Sequence, residues 1–192
     1  MSNTTILDDI DAEVNHFNRA FPDALGTQSN QYFSVETFRS NFASIDEKDL
    51  SIIHLNIRSL TANGDDFSSY IDSLNVKFDI ICLSETWKSN SNLSDYHYFP
   101  SYKSFHSSRP EGKRGGGVCI FVLEKYSCEH LDSLCSNEES IECVFVRLRD
   151  GSKFINIGCI YRPPYNNHDE FLVKFEEKIN YLNPNLSTCI LC

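Results

Sequence analysis

Two segments, Ser51-Ile52-Ile53-His54-Leu55-Asn56 and Phe78-Asp79-Ile80-Ile81-Cys82-Leu83-Ser84-Glu85, decide the fold. The first reads as a strand. The second is apolar without interruption through Ile80-Ile81-Cys82-Leu83 and of strand length, the pattern of a strand buried on both faces. Between them, residues 65–74 place Phe67, Tyr70, Ile71 and Leu74 at helical spacing, with Asp65 or Asp66 near the start. Strand, helix and strand within about 30 residues form a βαβ unit, whose strands run parallel with a right-handed crossover.

Strands continue downstream. Residues 102–105 make a short one and 117–123 a strongly apolar one. Residues 140–148 and 153–161 flank Arg149-Asp150-Gly151-Ser152, in which Asp-Gly signals a hairpin. Phe171, Phe175, Ile179 and Leu182 form a helical stripe that Pro184 ends, and residues 187–191 begin a further strand. The class is α/β with a mixed sheet. Upstream, residues 1–48 are acidic and polar, and we read them as a partly helical arm or linker. Ile6, Leu7, Ile10, Val14, Phe17 and Phe21 recur at helical spacing before Pro22. A joint at 26–30 follows, then a short helix carrying Phe38 and Phe42 that docks on the domain at 49–192.

Charge narrows the function. Seventeen Lys and Arg against 27 Asp and Glu give a net charge of -10, which opposes a nonspecific nucleic-acid coat. A nuclease stays open, because a divalent cation turns a carboxylate site locally electropositive. Hydrophobic residues are 41 % of the chain, with 14 Phe and 9 Tyr, enough for a sizeable core. No run approaches the roughly 18 apolar residues of a membrane span. Met-Ser-Asn-Thr-Thr at the start has no signal-peptide character. We expect an intracellular protein, nuclear or cytoplasmic, not secreted and without a membrane partner.

Of the eight cysteines, Cys82, Cys119, Cys143 and Cys159 sit inside apolar strand-like runs, where a reduced thiol acts as a small hydrophobe. Cys189 and Cys192 match Cys-x-x-Cys but lack the second ligand pair of a zinc site.

Asn56 closes the first strand of the βαβ unit and Glu85 the second. Ligands gather outside the carboxyl ends of parallel strands, and neighbouring strands bring these two side chains to one rim. A carboxylate beside an amide can begin a magnesium site, since that ion takes few protein oxygens and keeps its waters. Spacing alone leaves a second reading open, in which Glu85 merely starts a loop and Asn56 caps a turn. The run Gly115-Gly116-Gly117 lacks the Lys-Ser/Thr ending of a nucleotide-binding loop and reads as a tight entry into a strand. Arg109, Lys113 and Arg114 form a basic cluster, either a DNA-backbone contact or a solvated loop. Trp87 and Arg162 read as packing and strand-end residues. The six histidines show no metal-ligand spacing, and His54, among apolar neighbours, reads as a core or interface histidine.

Four blocks together resemble the endonuclease/exonuclease/phosphatase domain of non-LTR (LINE-type) retrotransposons. They are Ile53-His54-Leu55-Asn56-Ile57-Arg58-Ser59-Leu60, Phe78 through Trp87, Arg114 through Val122, and Ile160-Tyr161-Arg162-Pro163-Pro164. The resemblance covers the chain from about Leu50 onward. It implies a DNase-I-like two-sheet α/β sandwich and hydrolysis of phosphate esters with one divalent metal, Mg2+ or Mn2+. In the retrotransposon branch the domain nicks DNA to prime an attached reverse transcriptase. The resemblance makes Glu85 the main metal ligand, Asn56 the amide that orients the metal shell and phosphate, and Tyr161 the phenol that reaches the scissile phosphate.

The family's Gly-Asp-x-Asn and Ser-Asp-His blocks do not occur before Cys192, so the resemblance implies about the first half of the domain. We therefore expect an inactive fragment whose inner sheet face lacks its cover. That face would aggregate or bind the missing half. Two further readings stand beside this one: another phosphatase or phosphodiesterase of the same fold, and a non-enzymatic interaction module.

Overall fold

A computed structural model describes residues 33–42, 49–88, 98–108, 115–150, 153–164, 167–182 and 188–192. The compact unit runs from Val35 to Cys192, and Met1–Ser34 form a separate one. The helix read at 6–21, the joint at 26–30 and the cluster Arg109, Lys113 and Arg114 lie outside the described residues.

In chain order the elements are α1 (Val35–Phe42), β1 (Ile52–Asn56), α2 (Leu60–Leu74), β2 (Ile80–Ser84), β3 (Tyr102–Ser107) and β4 (Val118–Leu123). There follow β5 (Ser127–His130), a 3-10 turn (Asp132–Leu134), β6 (Ser136–Asn137), β7 (Glu142–Asp150), β8 (Lys153–Tyr161), α3 (His168–Leu182) and β9 (Thr188–Leu191).

The βαβ unit forms as its sequence dictates. β1 and β2 run parallel, with Ile52 opposite Ile80 and Asn56 opposite Ser84. All five residues of β2 are buried, as its unbroken apolar run requires. Helix α2 crosses between the strands and buries Phe67, Ile71 and Leu74. It starts at Leu60 rather than near Asp65, because its first turn is fixed by a cap and not by an apolar stripe. Ser59 Oγ accepts from the Ala62 amide at 3.2 Å, and Asn75 ends the helix in the left-handed conformation. Helix α1 docks through Phe38, whose ring lies 6.3 Å from that of Phe78.

β2 pairs antiparallel with β4, and β4 with β3, giving a first sheet of order β1-β2-β4-β3. The second sheet has the order β5-β7-β8-β9, with β6 beside β7 and β9 parallel to β8. Alternation along the strands then builds the core. Ile80, Cys82, Val118, Ile120 and Val122 of the first sheet meet Val144, Val146, Leu148, Ile157 and Cys159 of the second. Each such fully buried Ile, Leu or Val contributes about 1.5–3 kcal/mol. On the outer face of the first sheet, Phe121 packs on Phe99 (5.0 Å between centroids), and Phe99 on Phe67 of α2 (6.0 Å). On the outer face of the second, Cys143 and Phe145 pack with Phe171, Phe175 and Ile179 of α3. The layers are helix, sheet, sheet, helix: a DNase-I-like α/β sandwich.

The expected uncovered inner face is not what the structure shows. Strands β7 and β8 belong to a second sheet, and that sheet covers the first. Reading all the strands as one mixed sheet hid the cover, because hairpin and periodicity signals do not say to which sheet a strand belongs.

All eight cysteines are free, and Cys82, Cys119, Cys143 and Cys159 are buried as read. Cys189 and Cys192 lie on and just after β9, and Cys192 meets Cys82, but no described group of three or more ligand side chains is arranged to hold a metal. No described helix is long and apolar enough to cross a membrane.

Candidate active site

Three loops meet at the carboxyl ends of β1 and β2, and main-chain bonds stitch them together. Ile57 donates to Ser84 O at 2.9 Å, Ser59 to Glu85 O at 2.8 Å and Leu60 to Thr86 O at 2.9 Å. From the other side, Thr86 donates to Gly117 O (3.1 Å) and Trp87 to Gly116 O (2.8 Å). The backbone here is strained. Five described non-glycine residues have positive φ, and Arg58 (46°), Ser59 (91°), Glu85 (57°) and Trp87 (56°) are four of them. Each such residue costs on the order of 1–3 kcal/mol, and such strain concentrates at functional sites. The glycine run works as read, as a tight entry into β4, with φ of 78°, 75° and 84° at Gly115, Gly116 and Gly117. Gly115 also lets the backbone approach the site, since a Cβ there would lie 3.3 Å from Glu85 Oε2.

Glu85 is the focus of this rim. Its Oε2 accepts from the Gly116 amide at 2.7 Å and from the Trp87 indole Nε1 at 2.5 Å, and its Oε1 accepts from the Tyr161 hydroxyl. A carboxylate offers about four lone-pair directions, so three donors orient it and leave room for a cation. Tyr161 arrives from the end of β8 in the second sheet, its ring half-buried against the inter-sheet core. The Tyr161–Glu85 bond therefore joins the two sheets.

A second carboxylate does the same one layer deeper. Glu142 pairs with Tyr161 across the β7–β8 ladder, is 1 % exposed, and accepts the Gly117 amide on Oε2. Sequence reading passed over Glu142. Its signal was an acidic residue inside the otherwise apolar Ile141-Glu142-Cys143-Val144.

Asn56, at the end of β1, has its Oδ1 buried with no hydrogen-bond partner among the described residues. An orphaned buried acceptor costs about 1–3 kcal/mol unless something meets it. Among the described residues no group of three or more His, Cys, Asp or Glu side chains is arranged to hold a metal. Magnesium does not need one, because it binds through one or two carboxylates and keeps several waters. A carboxylate held by three donors and a nearby strand end with an unmet amide oxygen fit that ion.

Two expectations are corrected. His54 is exposed, not in the core, with Nε2 3.5 Å from Ser84 Oγ. It sits on β1 at the edge of the first sheet, so alternation with apolar neighbours does not enclose it. Trp87 is 53 % exposed and works through its indole N–H on Glu85 rather than through packing. Arg162 is exposed just beyond β8, a strand-end residue as read.

Two packed mixed sheets flanked by helices, with polar groups gathered at one rim, are the DNase-I-like endonuclease/exonuclease/phosphatase fold, and solved structures match it. The endonuclease domain of TRAS1, a telomere-specific non-LTR retrotransposon, aligns at TM-score 0.54 and 15 % identity, over 73 % of this chain and 57 % of that one. Danio rerio TDP2, complexed with a single-strand DNA product, aligns at 0.52 and 14 %, over 76 % and 59 %. ANGEL2, a 2′,3′-cyclic phosphatase, aligns at 0.54 and 14 %, over 74 % and 51 %. The likeness is one of fold, and the chain spans under three-fifths of each neighbour's length. No family profile and no curated protein matches the chain.

Proposed function

We propose that this chain is part of a metal-dependent phosphodiesterase, the DNA-nicking endonuclease of a non-LTR retrotransposon acting with a reverse transcriptase. The observation that carries it is Glu85, held by donors from three places in the chain at the carboxyl ends of parallel strands. In this reading Glu85 and Asn56 hold one Mg2+ or Mn2+. When bound, the metal supplies positive charge against the phosphate. Trp87 and Gly116 fix the carboxylate. Tyr161 turns its hydroxyl from Glu85 to a phosphate oxygen as substrate enters, a donation that strengthens as negative charge develops there. Arg109, Lys113 and Arg114 contact the DNA backbone. The protein works inside the cell, in the nucleus or cytoplasm.

In this reading the chain supplies part of the domain, as it spans 57 % and 59 % of two of its structural neighbours, and these 192 residues are inactive by themselves. The cyclic-phosphatase neighbour, equal in TM-score to the retrotransposon one, keeps a second reading open: the same site on another phosphate ester.

The test is nicking of supercoiled plasmid with magnesium. It compares this chain with a form continued through the remaining family motifs, and with Glu85→Ala in that longer form. Nicking only by the longer form, abolished by Glu85→Ala, is expected. Nicking that survives Glu85→Ala refutes the assignment. A readout independent of activity is the melting temperature of this chain. Saturating magnesium worth about 1 kcal/mol raises it by roughly 2–4 °C, and Glu85→Ala removes the shift.

A further inference from the structure

On the edge of the second sheet, between Gly117 and Glu142 in the chain, lies His130-Leu131-Asp132-Ser133-Leu134-Cys135. His130 ends β5, Asp132 opens the 3-10 turn, and Cys135 follows it. Asp132 Oδ1 lies 2.6 Å from His130 Nδ1, and Cys135 Sγ lies 3.2 Å from His130 Nε2 and 3.4 Å from Leu131 O, a second acceptor for its proton. A carboxylate only accepts, so Nδ1 donates to Asp132, and in the neutral imidazole Nε2 is the acceptor that faces the thiol. Thiol, imidazole and carboxylate stand in the order nucleophile, base, orienter.

The frame around them is fixed. Leu131 donates to Phe145 O at 2.9 Å, Leu134 to Leu131 O at 2.9 Å and Cys135 to Asp132 O at 3.1 Å. The His130 ring packs against Phe105, with centroids 5.3 Å apart. The imidazole is 26 % exposed and Cys135 half-buried, so a small reagent has access. Other charged groups bear on the site. Lys178, whose Nζ donates to Leu134 O at 2.9 Å, favours the thiolate, Asp132 opposes it, and His106 faces His130. Burial is the largest influence and pushes the Cys135 thiol up, so the resting form is the thiol and a base is needed to release the nucleophile.

We propose that Cys135 is a nucleophilic thiol activated by His130, which Asp132 orients, and that it is a site of covalent modification by soft electrophiles. In the step, the Sγ proton passes to Nε2 and a sulfur lone pair forms the new S–C bond. The leaving group departs with its bonding electron pair, and the imidazolium then releases the proton to water. Nothing in the phosphodiesterase reading requires this chemistry, and the two stand or fall separately.

The test is alkylation by iodoacetamide at neutral pH, followed cysteine by cysteine with mass spectrometry on the intact chain. Cys128 is the internal control: it is half-buried on β5, its thiol is also pushed up by burial, and no histidine is hydrogen-bonded to it among the described residues. Cys135 should react at least about a hundredfold faster than Cys128, the low side of what a positioned base supplies. His130→Gln, which keeps a side chain of similar reach without the base, should bring Cys135 to the Cys128 rate. Asp132→Asn should slow it by a smaller factor, while Cys128 itself is unchanged. Equal rates for Cys135 and Cys128 in the unmodified protein overturn the proposal. So does a fast Cys135 that His130→Gln leaves fast.

Discussion

Removing the Tyr161 hydroxyl tests whether the rim holds the two sheets together. Tyr161→Phe deletes one bond from the second sheet to Glu85, leaving the half-buried ring in place against the inter-sheet core. A hydrogen bond to a charged acceptor contributes about 1.5–3 kcal/mol when buried. Both side chains here are only partly covered, so water recovers some of that, and about 1.5 kcal/mol is expected. With a urea m-value of about 2.5 kcal/mol/M, the unfolding midpoint falls by roughly 0.6 M. Glu85→Ala loses more, because the Trp87 and Gly116 donors also lose their acceptor. The diagnostic quantity is the coupling in the double-mutant cycle, measured by circular dichroism on the four proteins. It should be about 1–1.5 kcal/mol. Additivity within about 0.3 kcal/mol would mean that the hydroxyl and the carboxylate do not cooperate, and would refute the reasoning.

Two other perturbations follow from the same structure. Gly117→Ala should destabilise by about 2–4 kcal/mol in urea unfolding, because φ is +84° and the new Cβ would lie 2.5 Å from Thr86 Oγ1. A loss under 1 kcal/mol would show that the loop relaxes freely. Asp79→Asn should cost about 2 kcal/mol at pH 7, since its carboxylate accepts from the Ser51 amide (2.9 Å), the Ser51 hydroxyl (2.8 Å) and Lys125 (2.6 Å). Burial raises the Asp79 carboxyl, but those bonds outweigh it and hold it below its ordinary value of 3.8. A depressed folded-state pKa gives stability that is present above the unfolded value and lost as the pH falls through the folded one. The gap between the unmodified protein and Asp79→Asn should therefore be full at pH 7 and shrink below about pH 4. A gap independent of pH would contradict that account.

The βαβ unit is legible because Ile80-Ile81-Cys82-Leu83 is an apolar run of strand length, the pattern of a strand covered on both sides, and the structure buries all four. The start of α2 was not, since Thr61-Ala62-Asn63-Gly64 carries no apolar period and the helix is set by the Ser59 cap. β5 and β6 escaped notice as well. At four and two residues they are too short for alternation to register. At the rim, the ends of the parallel strands pointed to Asn56 and Glu85 by position alone. Tyr161 came only from a resemblance, because meeting Glu85 requires two sheets to dock and no local pattern encodes docking. Glu142 is hidden for the same reason, whereas the indole of Trp87 reaches Glu85, two residues away, through a turn with positive φ at both residues. Nothing in the sequence marks Cys135, because His-x-Asp-x-x-Cys becomes a relay only when the 3-10 turn folds the segment back on itself.

The Tyr161–Glu85 bond spans 76 residues of sequence, and that interval has a meaning in time. At a synthesis rate of about 5–20 residues per second, roughly 4–15 s separate the two partners on the ribosome. Over that interval β3 and β4 complete the first sheet and β7 begins the wall it packs against, while Glu85 exists without the hydroxyl that braces it. Contacts so distant along the chain form late and slow folding. The rim is thus a record of completed assembly. A nascent chain stalled before Tyr161 has the carboxylate but not the hydroxyl that completes the rim.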